Sequence, residues 1–117
     1  MHADELREYL IAKPHSEECS PFGDEVLVYK LGGKIFAILG FDGGEMRCNL
    51  KCDPDRALEL RDTHAFIIPG YHMNKRHWNT LLMGPGVDAA IIAELVDHSY
   101  ELIHASLTRK QRAALDG

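Results

Sequence analysis

VLVYKLGGKIFAIL, residues 26–39, is the stretch of sequence that decides the fold. Two runs rich in β-branched and aliphatic residues flank Gly32 and Gly33, and paired glycines tolerate the positive φ angles that a tight hairpin turn requires. The pattern predicts strands at Val26–Leu31 and Lys34–Leu39 that pair antiparallel. Because hairpins join antiparallel strands, the rest of the chain should build on an antiparallel sheet.

The next segment continues the sheet. Asp42-Gly43-Gly44 predicts a second tight turn, and the residues that follow it alternate between apolar and polar side chains. A period of two is typical of a strand with one face toward water. The apolar set is expected to face inward: Met46, Cys48, Leu50 and Cys52. The polar set is expected to project from the opposite face: Arg47, Asn49 and Lys51.

Helices are predicted where apolar residues recur at helical spacing behind a capping residue. The first spans residues 3–13, and a long one follows Asp88. Between them, Asp53 and Pro54 supply an N-cap and a favourable first position for a short helix. Ala57, Leu58 and Leu60 are expected to give the short helix its apolar contacts, and a capping box at Thr108–Gln111 predicts a brief C-terminal helix.

The remaining segments complete the order of elements. Glu17–Gly23 is predicted to be a loop, whereas Phe66–Ile68 and Trp78–Met83 are predicted to be strands. The order is therefore α-β-β-β-α-β-β-α plus a short C-terminal helix. No repeat, low-complexity tract or linker divides residues 1–117, so we expect one α+β domain. Its predicted architecture is a two-layer α/β sandwich with a mainly antiparallel sheet.

The composition is that of an ordinary globular chain, with 45% hydrophobic and 26% charged residues. No apolar run approaches the roughly 20 residues that a membrane helix needs, and residues 1–5 are polar and acidic, so we expect a cytoplasmic protein. The net charge of −5 argues against a generic nucleic-acid binder. Residues 1–25 account for all of that charge, while residues 26–86 hold eight bases against six acids. This distribution fits one face suited to anions, and it equally fits an ordinary solvated surface.

The cysteines and histidines predict no metal site. Cys48 and Cys52 would lie about 13 Å apart on one strand, too far for a disulfide, and with Cys19 they are interpreted as reduced thiols. The seven histidines form neither a His-x-x-x-His nor a His-Glu-x-x-His motif. His98, which can face the same way as Glu94 on the long helix, is interpreted as a hydrogen-bonded histidine at the interface between the layers.

Catalytic and cofactor motifs are missing from the sequence as well. There is no Gly-x-Ser-x-Gly nucleophile elbow. The paired glycines lack the strand-to-helix context of a Walker loop or a Rossmann fingerprint. We therefore assign no catalytic residue and no cofactor, and an enzymatic role ranks behind two binding roles.

PGYHMNKRHWNT, residues 69–80, is the segment best suited to contact a ligand. The turn residues Pro69 and Gly70 are followed by two imidazoles, an amide, two fixed cations and the only Trp. Lys and Arg neutralise phosphates, Asn contacts a base edge or the backbone, and Trp stacks on a base or fills a groove. Strand alternation separates Trp78 from His77 and Asn79, and we expect the indole to pack inward.

Three motifs resemble the MmcQ/YjbR family of small bacterial proteins: YHMNKRHWNT at residues 71–80, LKCDP at residues 50–54 and DHSYEL at residues 97–102. The resemblance covers roughly residues 3–107 and implies a sandwich similar to the frataxin-like and secretion-chaperone-like folds. Members of this family are described as DNA-binding proteins with a double-wing arrangement of hairpins. On this chain the resemblance implies wings at Gly32-Gly33 and at Asn74-Lys75-Arg76.

Two hypotheses about function follow. The first is a DNA-binding or nucleic-acid-associated accessory or regulatory protein that uses basic wings. The alternative is a protein-binding, chaperone-like module without nucleic-acid activity, which the fold analogy and the acidic pI support. The candidate nucleic-acid-binding residues are Lys30, Lys34, Lys51, His72, Asn74, Lys75, Arg76 and His77, with Trp78 as the candidate for base stacking.

Overall fold

The structure is a computed structural model that describes residues 1–23, 25–42, 45–70, 73–84 and 86–116. Within these ranges the chain forms four helices and six strands. The helices are α1 (Ala3–Ala12), α2 (Pro54–Thr63), α3 (Ala89–Ser106) and α4 (Arg109–Asp116). The strands are β1 (Glu17–Cys19), β2 (Val26–Leu31), β3 (Lys34–Asp42), β4 (Glu45–Lys51), β5 (Ile67–Pro69) and β6 (Trp78–Leu82). None of the described helices is long and apolar enough to cross a membrane.

The six strands form one antiparallel sheet in the order β1-β2-β3-β4-β6-β5. The hairpin predicted from residues 26–39 is confirmed, with Leu31 opposite Lys34 across the turn. Gly32 and Gly33 have φ angles of 59° and 83°, which other residues rarely adopt. The second predicted turn, at residues 43–44, lies outside the described residues. The sheet and its helices confirm the predicted α+β sandwich.

The prediction of a loop at Glu17–Gly23 is wrong for its first three residues, which form the edge strand β1. These residues lie antiparallel to Val28–Lys30 of β2. The Glu18 carboxylate also accepts hydrogen bonds from Arg7 and from the Tyr29 hydroxyl, both at 2.7 Å. A strand of three residues is too short to show a period in the sequence, so only its pairing with β2 reveals it.

The helix layer packs against one face of the sheet. The core joins side chains from β2, β3, β4 and β6 to others from α1 and α3, including Tyr29, Leu31, Leu39, Cys48, Leu50, Leu81, Leu6, Leu10, Ile92 and Val96. Strand residues that alternate with this inner set form the outer face, which we define by Lys30, Arg47, Asn49, Lys51, Trp78 and Thr80. The alternation predicted for β4 is therefore confirmed.

A β-bulge between β2 and β3 lies beside α3. It leaves Phe36 outside the ladder, and the Phe36 carbonyl accepts a 2.6 Å hydrogen bond from the buried hydroxyl of Ser99. The same hydroxyl oxygen accepts a 2.9 Å bond from the Lys51 N–H, so one helix side chain joins the ends of β3 and β4. Next to it, Nε2 of His98 accepts a 3.2 Å bond from the Asp53 N–H. The prediction of a hydrogen-bonded histidine between the layers is confirmed.

The predicted helix starts are confirmed by their caps. The side chains of Asp53 and Asp88 accept bonds from first-turn N–H groups of α2 and α3, and the capping box at Thr108–Gln111 begins α4. Leu58 contradicts the prediction, because its side chain is 58% exposed. α2 turns the side that carries Ala57 toward the sheet, which leaves Leu58 in solvent.

Candidate nucleic-acid interface

The sheet brings both predicted wings to the same end of the molecule. Because neighbouring strands are antiparallel, the turn after β2 and the turn after β5 lie at the end where β4 also finishes. The two hairpins flank β4, so their centres are about 14 Å apart at the usual strand spacing. We call this region the wing end, defined by the turns at residues 32–33 and 73–77.

Asn74 organises the second turn. Its side-chain oxygen accepts a 2.9 Å hydrogen bond from the Arg76 N–H, and its carbonyl accepts bonds from the N–H groups of His77 and Trp78 at 3.2 and 2.9 Å. These bonds place Lys75 and Arg76 at an exposed tip. Asn74 is thus engaged in holding the turn, while the two cations beside it are the groups directed at solvent.

Arg61 of α2 supports the same turn from below. Its Nε donates a 2.6 Å hydrogen bond to the Asn79 side chain, and its Nη2 donates to the carbonyls of Trp78, at 3.3 Å, and Lys75. Asn79 is only 2% exposed and its amide also reaches the Ala57 carbonyl at 3.5 Å. Sequence reasoning missed Arg61. The available signal was Asn79 itself, because an amide beside the core residues of a strand needs a partner.

The inward packing predicted for Trp78 is wrong. Trp78 pairs with Lys51 of β4, and both lie on the outer face, while Asn79 and Leu81 take the inner face. The indole is half-buried. Strand alternation correctly places Trp78 and Asn79 on opposite faces of β6. Trp78 takes the outer face because the inner position beside α2 is filled by Asn79 and its hydrogen-bond partner Arg61.

Lys30 and Lys51 lie in one row with Trp78 near the wing end. Lys30 is on β2, Lys51 on β4 and Trp78 on β6. Lys30 is two strands away from Lys51, which is roughly 10 Å at the usual strand spacing. Lys30 lies opposite Glu17 of β1 in the strand register, and neither Lys30 nor Lys51 forms an ion pair with a described residue. His77 is half-buried, and its carbonyl accepts a 2.8 Å bond from the Cys52 N–H, which ties the second turn to the end of β4.

Lys34 is directed away from this row. Its Nζ donates to the carbonyl and the hydroxyl of Ser106 at 2.9 and 3.2 Å, where a cation also offsets the partial negative charge at the end of α3. Leu107 packs beneath Gly32, where a Cβ would come within 2.9 Å of it. The first turn is therefore anchored to the helix layer. His72, the remaining candidate, lies outside the described residues.

A shallow concavity of about 410 Å³ borders the exposed tip. It is lined by Pro54, Asp55, Leu58, Arg61, Lys75 and Arg76. Because Arg61 is committed to the turn and Asp55 brings a negative charge, this concavity is mixed in character.

The Cys48 and Cys52 thiols and the His98 imidazole have pKa values that favour their neutral forms. Burial raises the pKa of the Cys48 thiol to about 12 and also raises the pKa of Cys52, so both favour the neutral form. Burial, reinforced by the nearby Arg56 charge, lowers the pKa of His98 and keeps its Nε2 free to accept the Asp53 bond. No group of three or more His, Cys, Asp or Glu side chains in the described part of the chain is placed to hold a metal ion.

Relatives of known sequence match most of this chain. The uncharacterized protein YbdF of Escherichia coli O157:H7 is 37% identical over 99 residues, covering 85% of this chain and 81% of its own length. The uncharacterized protein YjbR of Escherichia coli K12 is 30% identical over 115 residues, which cover 98% of both chains.

Solved structures match the fold. Deinococcus radiodurans protein DR2400 aligns with a TM-score of 0.87 and 39% identity, covering 97% of this chain and 86% of its own. A crystal structure of a Pseudomonas syringae protein aligns with a TM-score of 0.76 and 26% identity, covering 88% of this chain and 99% of its own. The family profile named YjbR matches residues 11–102. From this profile and the long matches to the Escherichia coli proteins, we conclude that the chain belongs to the YjbR family.

Proposed function

We propose that this protein is a nucleic-acid-binding accessory protein that contacts phosphates through the wing end and the adjacent outer face. The observation that carries the proposal is the convergence of cations there. Lys75 and Arg76 form the exposed tip of the second turn, which leads along the chain into Trp78, and Trp78 pairs with Lys51 across the sheet. Lys and Arg side chains neutralise phosphates, and a half-buried indole offers a face for a base.

The rigidity of the second turn supports this role. A flexible tip would lose side-chain and backbone entropy on binding, and that loss lowers affinity. Here Asn74 and Arg61 fix the backbone of the turn before any ligand arrives. The backbone from which both tip cations project is consequently held in one arrangement.

The charges of the tip are available. Lys75 and Arg76 form no ion pair with any residue in the described ranges, and both are exposed. Phosphate contacts would therefore release counterions without first breaking a salt bridge. The net charge of −5 opposes long-range attraction to nucleic acid, so binding would depend on this local cluster. The three free cysteines suit the reducing cytoplasm that we propose as its location.

A protein-binding, chaperone-like role is the second candidate. The observation that favours it is the partial exposure of apolar side chains on the outer face, where Ile35, Ile38 and Ile68 are half-buried. Such residues would suit an extended peptide or a partner's sheet. Binding of this kind would respond weakly to salt, which distinguishes it from phosphate contact.

The proposal is tested by fluorescence anisotropy with labelled duplex DNA, single-stranded DNA and RNA at several salt concentrations. Replacing both tip cations, Lys75→Ala with Arg76→Ala, should weaken binding to every sequence and reduce the salt slope by about two units. Stability should barely change, because exposed charges contribute little.

The matched control is Arg109→Ala with Lys110→Ala, which removes two exposed neighbouring cations from α4 and changes the net charge equally. The control should bind as the unmodified protein does. The proposal fails if the unmodified protein binds no nucleic acid at about 50 mM salt, where phosphate contacts are strong. It also fails if the α4 control loses as much affinity as the tip variant.

A further inference from the structure

Trp78 is held on the outer face of the sheet, beside the wing end. α1 and α3 pack against the opposite face, and Trp78 pairs with Lys51 of the neighbouring strand. On the other side, the N–H of Gly70 donates a 2.9 Å bond to the Trp78 carbonyl, and a Cβ at Gly70 would come within 2.8 Å of the Trp78 Cβ. Glycine therefore lets the backbone after β5 lie directly against the root of the half-buried indole side chain.

Cationic and apolar side chains alternate across the strands beside this indole. Lys30 on β2 pairs with Ile35 on β3, and Lys51 on β4 pairs with Trp78 on β6. These four residues define the Trp78 row. Their strands are consecutive in the sheet, so each is about 5 Å from the next. The row therefore offers cations for phosphates and, next to them, apolar surface for bases.

The Trp78 row is basic where it meets the wing end. Glu17, at the β1 edge of the sheet, is three strands from Lys51, roughly 14 Å at the usual spacing. Asp53, two residues after Lys51, caps α2, and its side chain accepts bonds from two N–H groups there. Asp55 borders the tip in the concavity that α2 lines, so it offsets part of the charge of the tip. Lys51 is consequently the charge closest to the indole in the row.

We infer that the Trp78 row binds a single-stranded nucleic acid, with a base stacked on Trp78 and the flanking phosphates at Lys51 and at the tip cations Lys75 and Arg76. The inference rests on the proposed phosphate binding at the wing end and names the class of its ligand. A duplex can bring phosphates to the tip, but its bases are stacked on one another and offer no face to an indole on the sheet. A single strand supplies both groups, and stacking accepts any base.

The first test uses the fluorescence of the unmodified protein. Trp78 is the only tryptophan in the chain, so the indole signal reports on this side chain alone. The probes are oligothymidylate and oligouridylate of about 12 nucleotides, within the usual range of single-strand site sizes, and the duplex of oligothymidylate with oligodeoxyadenylate. A base that stacks on the indole quenches its emission. We expect both single strands to quench the fluorescence and the duplex to leave it nearly unchanged.

Substitutions of Trp78 supply the mutational test, with binding followed by the anisotropy of labelled oligonucleotides. Trp78→Ala removes the stacking surface and should weaken single-strand binding by about fivefold to 150-fold, the range for one stacked base. Trp78→Phe keeps an aromatic face and should lose less than about fivefold. Leu82→Ala is the control, because Leu82 is a half-buried apolar residue on the same strand and the same face. The control should change single-strand binding by less than about twofold.

The failure of this inference can be told apart from the failure of the proposed function. The inference alone is overturned if the oligonucleotides bind but the single strands do not quench the indole, or if Trp78→Ala weakens single-strand binding no more than Leu82→Ala does. An equal loss of duplex and single-strand affinity in Trp78→Ala would overturn it as well. If none of the three probes binds at about 50 mM salt, the proposed function fails and the inference with it. Quenching by only one of the single strands supports the inference and identifies DNA or RNA as the ligand.

Discussion

Arg61→Ala is the substitution that most directly tests how the second turn is built. The variant removes the guanidinium that donates to the Asn79 side chain at 2.6 Å and to the carbonyls of Trp78 and Lys75. It leaves Asn79, which is 2% exposed, with only a 3.5 Å bond from its amide to Ala57. The substitution therefore removes a charged donor and leaves the buried side-chain oxygen of Asn79 without that donor.

The expected loss follows from these contacts. A hydrogen bond to a charged group contributes about 1.5–3 kcal/mol, and an unsatisfied buried polar group costs about 1–3 kcal/mol. Arg61 is itself only partly buried, and water can replace some of its bonds to the turn. We therefore expect Arg61→Ala to lower the free energy of unfolding by about 2–4 kcal/mol. Arg61→Lys should lose part of this, because an ammonium cannot reproduce the forked geometry.

Urea unfolding monitored by circular dichroism measures the loss, and Arg56→Ala is the control. Arg56 is on the same helix and pairs with Glu94 at 2.5 Å, but this pair is exposed, so its loss should cost less than about 1 kcal/mol. If Arg61→Ala costs no more than Arg56→Ala, the guanidinium does not support the turn. The argument that the turn is fixed before binding would then be wrong.

Three further predictions concern the layers. Ser99→Ala should cost about 2–4 kcal/mol, because it leaves two buried backbone groups unpaired, and exposed Ser106→Ala on the same helix should cost much less. Trp78→Ala should cost about 1–2 kcal/mol in denaturant unfolding, and a loss equal to that of the core substitution Leu81→Ala would contradict the outer-face position. Because the pKa of His98 is lowered in the folded state, the unfolded state takes up a proton first, so the free energy of unfolding should fall as the pH drops below about 6.5. Glutamine at this position should flatten that slope, and an unchanged slope would exclude His98 as its source.

The parts of the fold that the sequence predicts are those with local causes. Gly32 and Gly33 require a turn by backbone geometry alone, and Asp53 and Asp88 cap helices through bonds to their own neighbours. The alternation of apolar and polar residues in β4 likewise predicts the two faces of that strand without reference to any other segment. β1 escapes prediction because its structure depends on pairing with β2, and a segment of three residues carries no period of its own.

The details of the candidate site depend on contacts between distant segments. Alternation in β6 separates Trp78 from Asn79 but does not say which side faces the helices, and hydrophobicity favours the wrong one. The Arg61 bond decides it, across 18 positions of sequence. The sequence similarly suggests that Lys34 is a free wing cation, whereas its Nζ donates to the Ser106 carbonyl at the end of α3. The composition of a loop therefore identifies candidates, while the packing beneath it decides which remain available.

The same sheet accounts for how an acidic chain can present a basic surface. Antiparallel strands send the turns after β2 and β5 to one end and the start of β4 to the other, so Lys51 and Glu45 are about 20 Å apart on a single strand. The bases Lys75 and Arg76 join the first end, and Glu45 begins β4 at the second. At this separation, more than a Debye length in physiological salt, the charges of one end scarcely influence the other. Substitutions at the two ends should therefore act independently, and a ligand attracted to one end is not opposed by the other. The net charge of the whole chain therefore does not by itself argue against the proposed phosphate contacts at the wing end.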